Sequence, residues 1–108
     1  MSEAKDGPYI FDGTVLTQYV GSWQNVVVPD GFEVIGSNAF RSLDKLRSVT
    51  LPASIRRIGS GAFADCPSLY FVYLSTLVLP KIEDGAFTGS PVCYLMTADG
   101  VNRIQEVE

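Results

Sequence analysis

One six-residue phrase occurs three times: I-G-S-N-A-F at Ile35 to Phe40, I-G-S-G-A-F at Ile58 to Phe63, and I-E-D-G-A-F at Ile82 to Phe87. The closing phenylalanines are 23 and then 24 positions apart, and self-similarity at such a period is the mark of a solenoid. A single coil carries roughly five or six apolar side chains, each contributing roughly 1.5 to 3 kcal/mol when buried. Ordering its backbone costs roughly 1 to 2 kcal/mol per residue, so no coil is stable alone. Stacking is obligatory, and three coils with two caps are near the minimum.

The phrase also has a local reading. Ser37, Ser60 and Asp84 share one position, and all three can accept a hydrogen bond from the free amides of a helix's first turn. Each is therefore expected to be the N-cap of a short helical turn. Ala39, Ala62 and Ala86 allow close packing there, and Phe40, Phe63 and Phe87 supply the large buried body. Pro67 stops the middle turn. Rings at a fixed interval could line a ligand pocket, but one apolar wedge per repeat fits a core better.

Alignment every 23 residues places Trp23, Leu46, Leu69 and Val92 in one column, Val26, Val49, Val72 and Leu95 in a second, and Val28, Leu51, Leu74 and Thr97 in a third. Side chains of a strand alternate between its two faces, so these columns are expected to point inward. Pro29 and Pro52 end the first two strands. The third coil is one residue longer before Ile82 and one shorter before Val92, which restores register. Tyr9-Ile10-Phe11 and Thr14-Val15-Leu16 flank Asp12-Gly13, a pair suited to a type I′ turn. That hairpin is expected to cover the first coil, since an open end exposes core and strand edge. The reading is one α/β repeat solenoid over residues 1–108, with a short parallel sheet on its concave side and helical turns opposite. A hairpin cap spans 8–20, the repeats span 23–45, 46–68 and 69–91, and a partial repeat with a C-terminal cap spans 92–108.

The segment from Leu46 to Cys66 reads L-R-S-V-T-L-P-A-S-I-R-R-I-G-S-G-A-F-A-D-C. It resembles the BspA-type leucine-rich repeat, and the likeness runs from about Gly13 to Leu95 over about three repeats. The chain has Glu83 where that pattern has Gly, and Ser90 where it has Cys. The resemblance implies a curved leucine-rich-repeat solenoid of a kind common on bacterial surface proteins, which binds other proteins.

Catalytic chemistry is poorly supplied. The chain has no His, and so lacks the commonest general base and a frequent metal ligand. It has no G-x-S-x-G, P-loop, dinucleotide fingerprint, H-E-x-x-H or C-x-x-C pattern. Cys93 has no evident activator, and Cys66 stands where the first repeat has Leu43, the place of a small buried hydrophobe. Two free thiols fit better than a bridge between them, which stays open. Glu83 beside Asp84 could form half of a cation site, but Asp84 is better explained as an N-cap and Glu83 as its solvated neighbour. No enzyme, cofactor or metal is expected.

A net charge of −4 opposes direct nucleic-acid binding, which needs Lys and Arg to neutralise phosphate. No stretch is long and apolar enough to span a membrane, and Met1 to Gly7 has no apolar leader core. The chain as it stands is expected to be cytoplasmic, although one cut after a leader would read the same.

Binding leaves a clearer trace. Between the inward columns lie Asn25, Ser48, Phe71, Tyr94 and Val27, Thr50, Tyr73, Met96. The first two coils are mostly small or polar there, whereas Phe71, Tyr73, Tyr94 and Met96 form an aromatic and Met block of the sort enriched at protein interfaces. The competing reading folds the tail, through Val101, Ile104 and Val107, over that block. Arg41, Lys45, Arg47, Arg56 and Arg57 against Asp44 make a locally basic segment. Arg47, Arg56 and Arg57 form a secondary contact set for an acidic partner, with a solvated face as the simpler explanation. The expected function is a non-catalytic protein-binding module using the concave face. Its alternatives are a stand-alone intracellular inhibitor of an enzyme or nucleic-acid-handling complex, of mobile-element type, and a fragment of a bacterial surface adhesin.

Overall fold

The computed structural model describes residues 8–75, 79–92, 94–97 and 100–103. Among these residues ten strands follow in order: β1 Tyr9–Asp12, β2 Val15–Tyr19, β3 Asn25–Val27, β4 Val34–Ile35, β5 Ser48–Leu51, β6 Arg57–Ile58, β7 Phe71–Leu74, β8 Lys81–Ile82, β9 Tyr94–Thr97 and β10 Gly100–Arg103. They form two five-stranded sheets, a wide one ordered β10-β9-β7-β5-β3 and a narrow one ordered β1-β2-β4-β6-β8. Each coil contributes a rung to the wide sheet, a rung to the narrow sheet, and then a turn.

The wide sheet forms where sequence alternation is strongest. S-V-T-L and F-V-Y-L place Val49 and Leu51, and Val72 and Leu74, inward as the residues between them turn out. Neighbouring rungs are parallel and in the 23-residue register, with Val26 opposite Val49, Val49 opposite Val72, and Val72 opposite Leu95. All four are at most 1% exposed. Val28, Leu51 and Leu74 are buried beside them, and Thr97 is half-buried.

The first inward column needs one correction. Leu46, Leu69 and Val92 are buried, but Trp23 is 56% exposed. Leu46 and Leu69 are turned inward by tight bends, their amides donating to the Leu43 and Cys66 carbonyls. The Trp23 amide instead donates to the Tyr19 hydroxyl, and the first coil has no such bend to tuck the indole beneath the sheet.

The narrow sheet stacks Leu16, Ile35, Ile58 and Ile82 in parallel register, each nearly fully buried. A side chain at Gly59 would strike backbone, with Ser37 N at 2.9 Å and Ile35 O at 3.1 Å from an added Cβ. The Gly that follows Ile thus lets successive coils approach.

The returning side is not helical: the described residues contain no helix. Two successive turns replace it, closed by Ala39 N to Gly36 O at 3.2 Å and Arg41 N to Asn38 O at 3.2 Å, and by matching bonds in the later coils. Asn38, Gly61 and Gly85 have φ of 62°, 69° and 77°, and Ser42, Asp65 and Gly89 have 63°, 56° and 82°. A left-handed residue at both ends of the motif stops a right-handed helix from propagating. Ser37, Ser60 and Asp84 therefore cap nothing. They precede the left-handed position of a type II turn, which demands Gly or Asn.

The repeated Ala and Phe do build the core. Ala39, Ala62 and Ala86 are buried. Phe40 N donates to Ala62 O at 2.7 Å and Phe63 N to Ala86 O at 2.8 Å. These bonds stack the rings of Tyr19, Phe40, Phe63 and Phe87 at centroid spacings of 5.1, 4.9 and 5.3 Å, within 16° of parallel. Tyr19 takes the place of Phe in the leading coil.

Both sheets end in a hairpin, at opposite ends. In the first, Asp12 pairs with Val15 and the loop is Gly13-Thr14, one residue later than expected. Gly13 has φ of 60° and Thr14 is not left-handed, so the turn is the type II′ form that places Gly first. Its second strand, β2, is also the first rung of the narrow sheet. At the other end, β10 runs antiparallel to β9 and closes the wide sheet.

Candidate protein-binding face

The outer face of the wide sheet is set by the same alternation that fills the core. Ser48 lies opposite Phe71, Thr50 opposite Tyr73, and Tyr73 opposite Met96. The face therefore changes chemistry from one side to the other. At β3 and β5 it is polar, with Ser48 Oγ donating to Asn25 Oδ1 at 2.6 Å, apart from exposed Val27. At β7 it is aromatic, with Phe71 40% and Tyr73 39% exposed. Their rings lie 6.2 Å apart and 14° from parallel, so the two present one continuous apolar surface. Met96 is half-buried beside them. Tyr94 shares the strand with Met96, and its side chain lies outside the description.

The tail bears on whether this face is open. Gly100 to Arg103 extends the sheet in its own plane, Val101 opposite Met96 and Asn102 opposite Leu95. Of the three residues expected to cover the rings, Val101 thus lies beside β9, and Ile104 and Val107 fall outside the described residues, as does Cys93.

The basic segment divides between faces. Arg47 is exposed just before β5 of the wide sheet, whereas Arg56 and Arg57 lie at the narrow sheet. Arg57 Nε meets Glu83 Oε2 at 3.0 Å, Arg56 meets Glu33 at 3.8 Å, and Arg41 meets Asp65 at 3.3 Å. Each pair joins adjacent coils, so carboxylates distant in sequence balance three of the five cations. Glu83 and Asp84, considered for a cation, divide likewise: Glu83 binds Arg57 and Asp84 is exposed in a turn.

Cys66 is a structural group. Its Sγ donates to the Phe40 carbonyl at 3.0 Å, and burial pushes the thiol above its ordinary value, away from the reactive thiolate. Ser90 does the equivalent work one coil on, donating to Phe63 O at 2.6 Å. The column requires a small donor more than a cysteine. Among the described residues, no group of three His, Cys, Asp or Glu could hold a metal ion, and no helix is long and apolar enough to cross a membrane.

Parallel ladders repeating every 23 or 24 residues around an aromatic stack define a β-solenoid repeat protein. A family model described as "BspA type Leucine rich repeat region (6 copies)" matches residues 11–107, and the chain belongs to that family. Two solved structures are similar. One is a leucine rich cell surface protein from Faecalibacterium prausnitzii, 28% identical with a TM-score of 0.56 over 83% of this chain. The other is a leucine-rich repeat protein from Bacteroides capillosus, 26% identical with a TM-score of 0.59 over 85% of this chain. The match spans 25% of the first neighbour's length and 95% of the second's. No curated protein matches the chain.

Proposed function

We propose that this solenoid is a non-catalytic recognition module that binds another protein through the outer face of its wide sheet, with Phe71, Tyr73, Tyr94 and Met96 as the principal contacts. The observation that carries the reading is the stacked, two-fifths exposed pair of Phe71 and Tyr73 on β7. Aromatic side chains held in this way present large apolar area at little entropic cost, the property shared by interface hot spots. Arg47, at the foot of the same sheet, is placed to steer an acidic rim, whereas Arg56 and Arg57 would serve a partner that reaches the narrow sheet.

A surface setting is the favoured context, because one structural neighbour is a cell surface protein and this chain matches a quarter of its length. In that setting the chain is one stretch of an adhesin-like array. The decisive experiment is affinity capture from source-cell lysate with wild type and a Phe71→Ser, Tyr73→Ser double variant of equal thermal stability. A partner retained by wild type and lost from the variant supports the reading; equal recovery by both overturns it.

A further inference from the structure

The outer face of the narrow sheet gathers charges that the sequence scatters. Lys81 lies 24 positions beyond Arg57, and the parallel register of β6 and β8 sets the two directly opposite each other. Val34 lies opposite Arg57 on its other side. With Arg56 and Glu33 these residues line one concavity of about 310 Å³. Three cations thus meet one carboxylate there, on a chain whose net charge is −4. Like charges on facing strand positions destabilise a sheet, so folding alone gives no reason to set Lys81 against Arg57.

The neighbouring acids do not use up this charge. Arg57 Nε meets Glu83 Oε2 at 3.0 Å. Arg56, its side chain 79% exposed, stands 3.8 Å from Glu33, too far for a hydrogen bond. Lys81 is exposed and pairs with no carboxylate among the described residues. Its ammonium and the Arg56 guanidinium are therefore available, and a guanidinium can take a carboxylate in two parallel bonds.

The main chain narrows the choice of ligand. The amides of Glu33, Val34, Arg56, Arg57 and Lys81 all donate to carbonyls earlier in the stack, Arg56 N to Glu33 O at 2.7 Å and Lys81 N to Arg56 O at 2.9 Å among them. Compact tetrahedral anions are commonly cradled by free backbone amides, and none of these five is free. What the concavity offers is long cationic side chains spread over two rungs about 4.8 Å apart, a layout that matches carboxylates carried on the side chains of a partner. We infer that Arg56, Arg57 and Lys81 form a docking site for an acidic segment of a protein partner, one rich in Asp or Glu. Arg56 and Lys81 take the partner's carboxylates, and Arg57, held by Glu83, adds positive field beside them. The site deepens the role given above to Arg56 and Arg57 and brings Lys81 into it, and it does not depend on the Phe71 and Tyr73 face, which belongs to the other sheet.

The probe is a capped hexaglutamate peptide, titrated into the folded chain at low ionic strength and followed by amide and lysine side-chain shifts in nuclear magnetic resonance spectra. Saturable shifts are expected at Arg56, Arg57 and Lys81 without matching shifts at Arg47, and added salt should abolish them, since it screens exposed charges. Lys81→Glu should weaken binding roughly tenfold and Arg56→Gln roughly threefold, both with unchanged circular dichroism. The Phe71→Ser, Tyr73→Ser double variant should bind the peptide as wild type does, so failure of either site shows apart from the other. The inference is overturned if hexaglutamate does not bind, or if Lys81→Glu binds it as well as wild type. It is also overturned if sodium phosphate, or vesicles containing phosphatidylserine, shift the same amides as strongly at equal charge, which would assign the site to a free anion or to a lipid headgroup.

Discussion

Replacing Phe63 with Ala tests whether the aromatic stack is the structural axis of the coil. The ring is fully buried between Phe40 at 4.9 Å and Phe87 at 5.3 Å. Truncating a buried Phe to Ala typically costs about 3 to 5 kcal/mol through lost transfer energy and the cavity left behind. Two stacked contacts go with this ring, each adding about 0.5 to 1.5 kcal/mol beyond buried area, so the loss should fall at the upper end of that range, about 5 kcal/mol. That is a large share of the roughly 5 to 15 kcal/mol available to a domain of this kind. Phe71→Ala, at an exposed ring, should cost no more than about 1 kcal/mol. The assay is urea unfolding followed by far-ultraviolet circular dichroism, comparing midpoints at unchanged slope, with Phe63→Leu as a milder variant expected to fall between. A Phe63→Ala loss below about 1 kcal/mol, or one equal to that of Phe71→Ala, would refute the packing argument.

Three further outcomes follow from the same geometry. Ser42 has φ of 63° and an exposed side chain, so Ser42→Gly should raise the unfolding midpoint by an amount equivalent to about 0.5 to 1 kcal/mol, and Ser42→Val should lower it. Cys66→Ala leaves the buried Phe40 carbonyl without its thiol donor and should cost about 1 to 3 kcal/mol, while Cys66→Ser, copying Ser90, should cost less. Burial, with Tyr19 close by, pushes the Tyr9 phenol from 10.0 up to about 12. The folded chain keeps a proton that the unfolded chain gives up near pH 10. Tyr9's contribution is therefore intact below about pH 10 and falls as pH climbs toward 12. Unfolding of Tyr9→Phe should show a shallower alkaline decline over that window.

The wide sheet was legible because Val26, Val49, Val72 and Leu95 repeat at 23 residues and alternate with outward positions at period two. The narrow sheet was not, because rungs of two residues are too short to show alternation, although the recurring Ile followed by Gly was its trace. The turn reads as helical in sequence because S-x-A-F resembles a capped helix start. Its deciding column is Asn38, Gly61 and Gly85, all residue types that tolerate a left-handed backbone; the second left-handed column, Ser42, Asp65 and Gly89, carries the same signal in Asp65 and Gly89 and none in Ser42. The column that carries Leu46 and Leu69 inward depends on a bend before each strand, and the first coil lacks that bend at Trp23. Alternation correctly turned Phe71 and Tyr73 outward. The Arg run is one patch only if neighbours in sequence are neighbours in space, and a solenoid sends Arg47 and Arg57 to different sheets.

The parallel in-register stacking of coils can be measured directly by nuclear Overhauser contacts between labelled strands. Val26 should show contacts to Val49, Val49 to Val72, and Ile35 to Ile58, each pair 23 positions apart, with backbone protons in the parallel pattern. Antiparallel contacts, or register displaced by a residue so that Val49 meets Phe71 or Tyr73, would contradict the solenoid and the recognition face built on it.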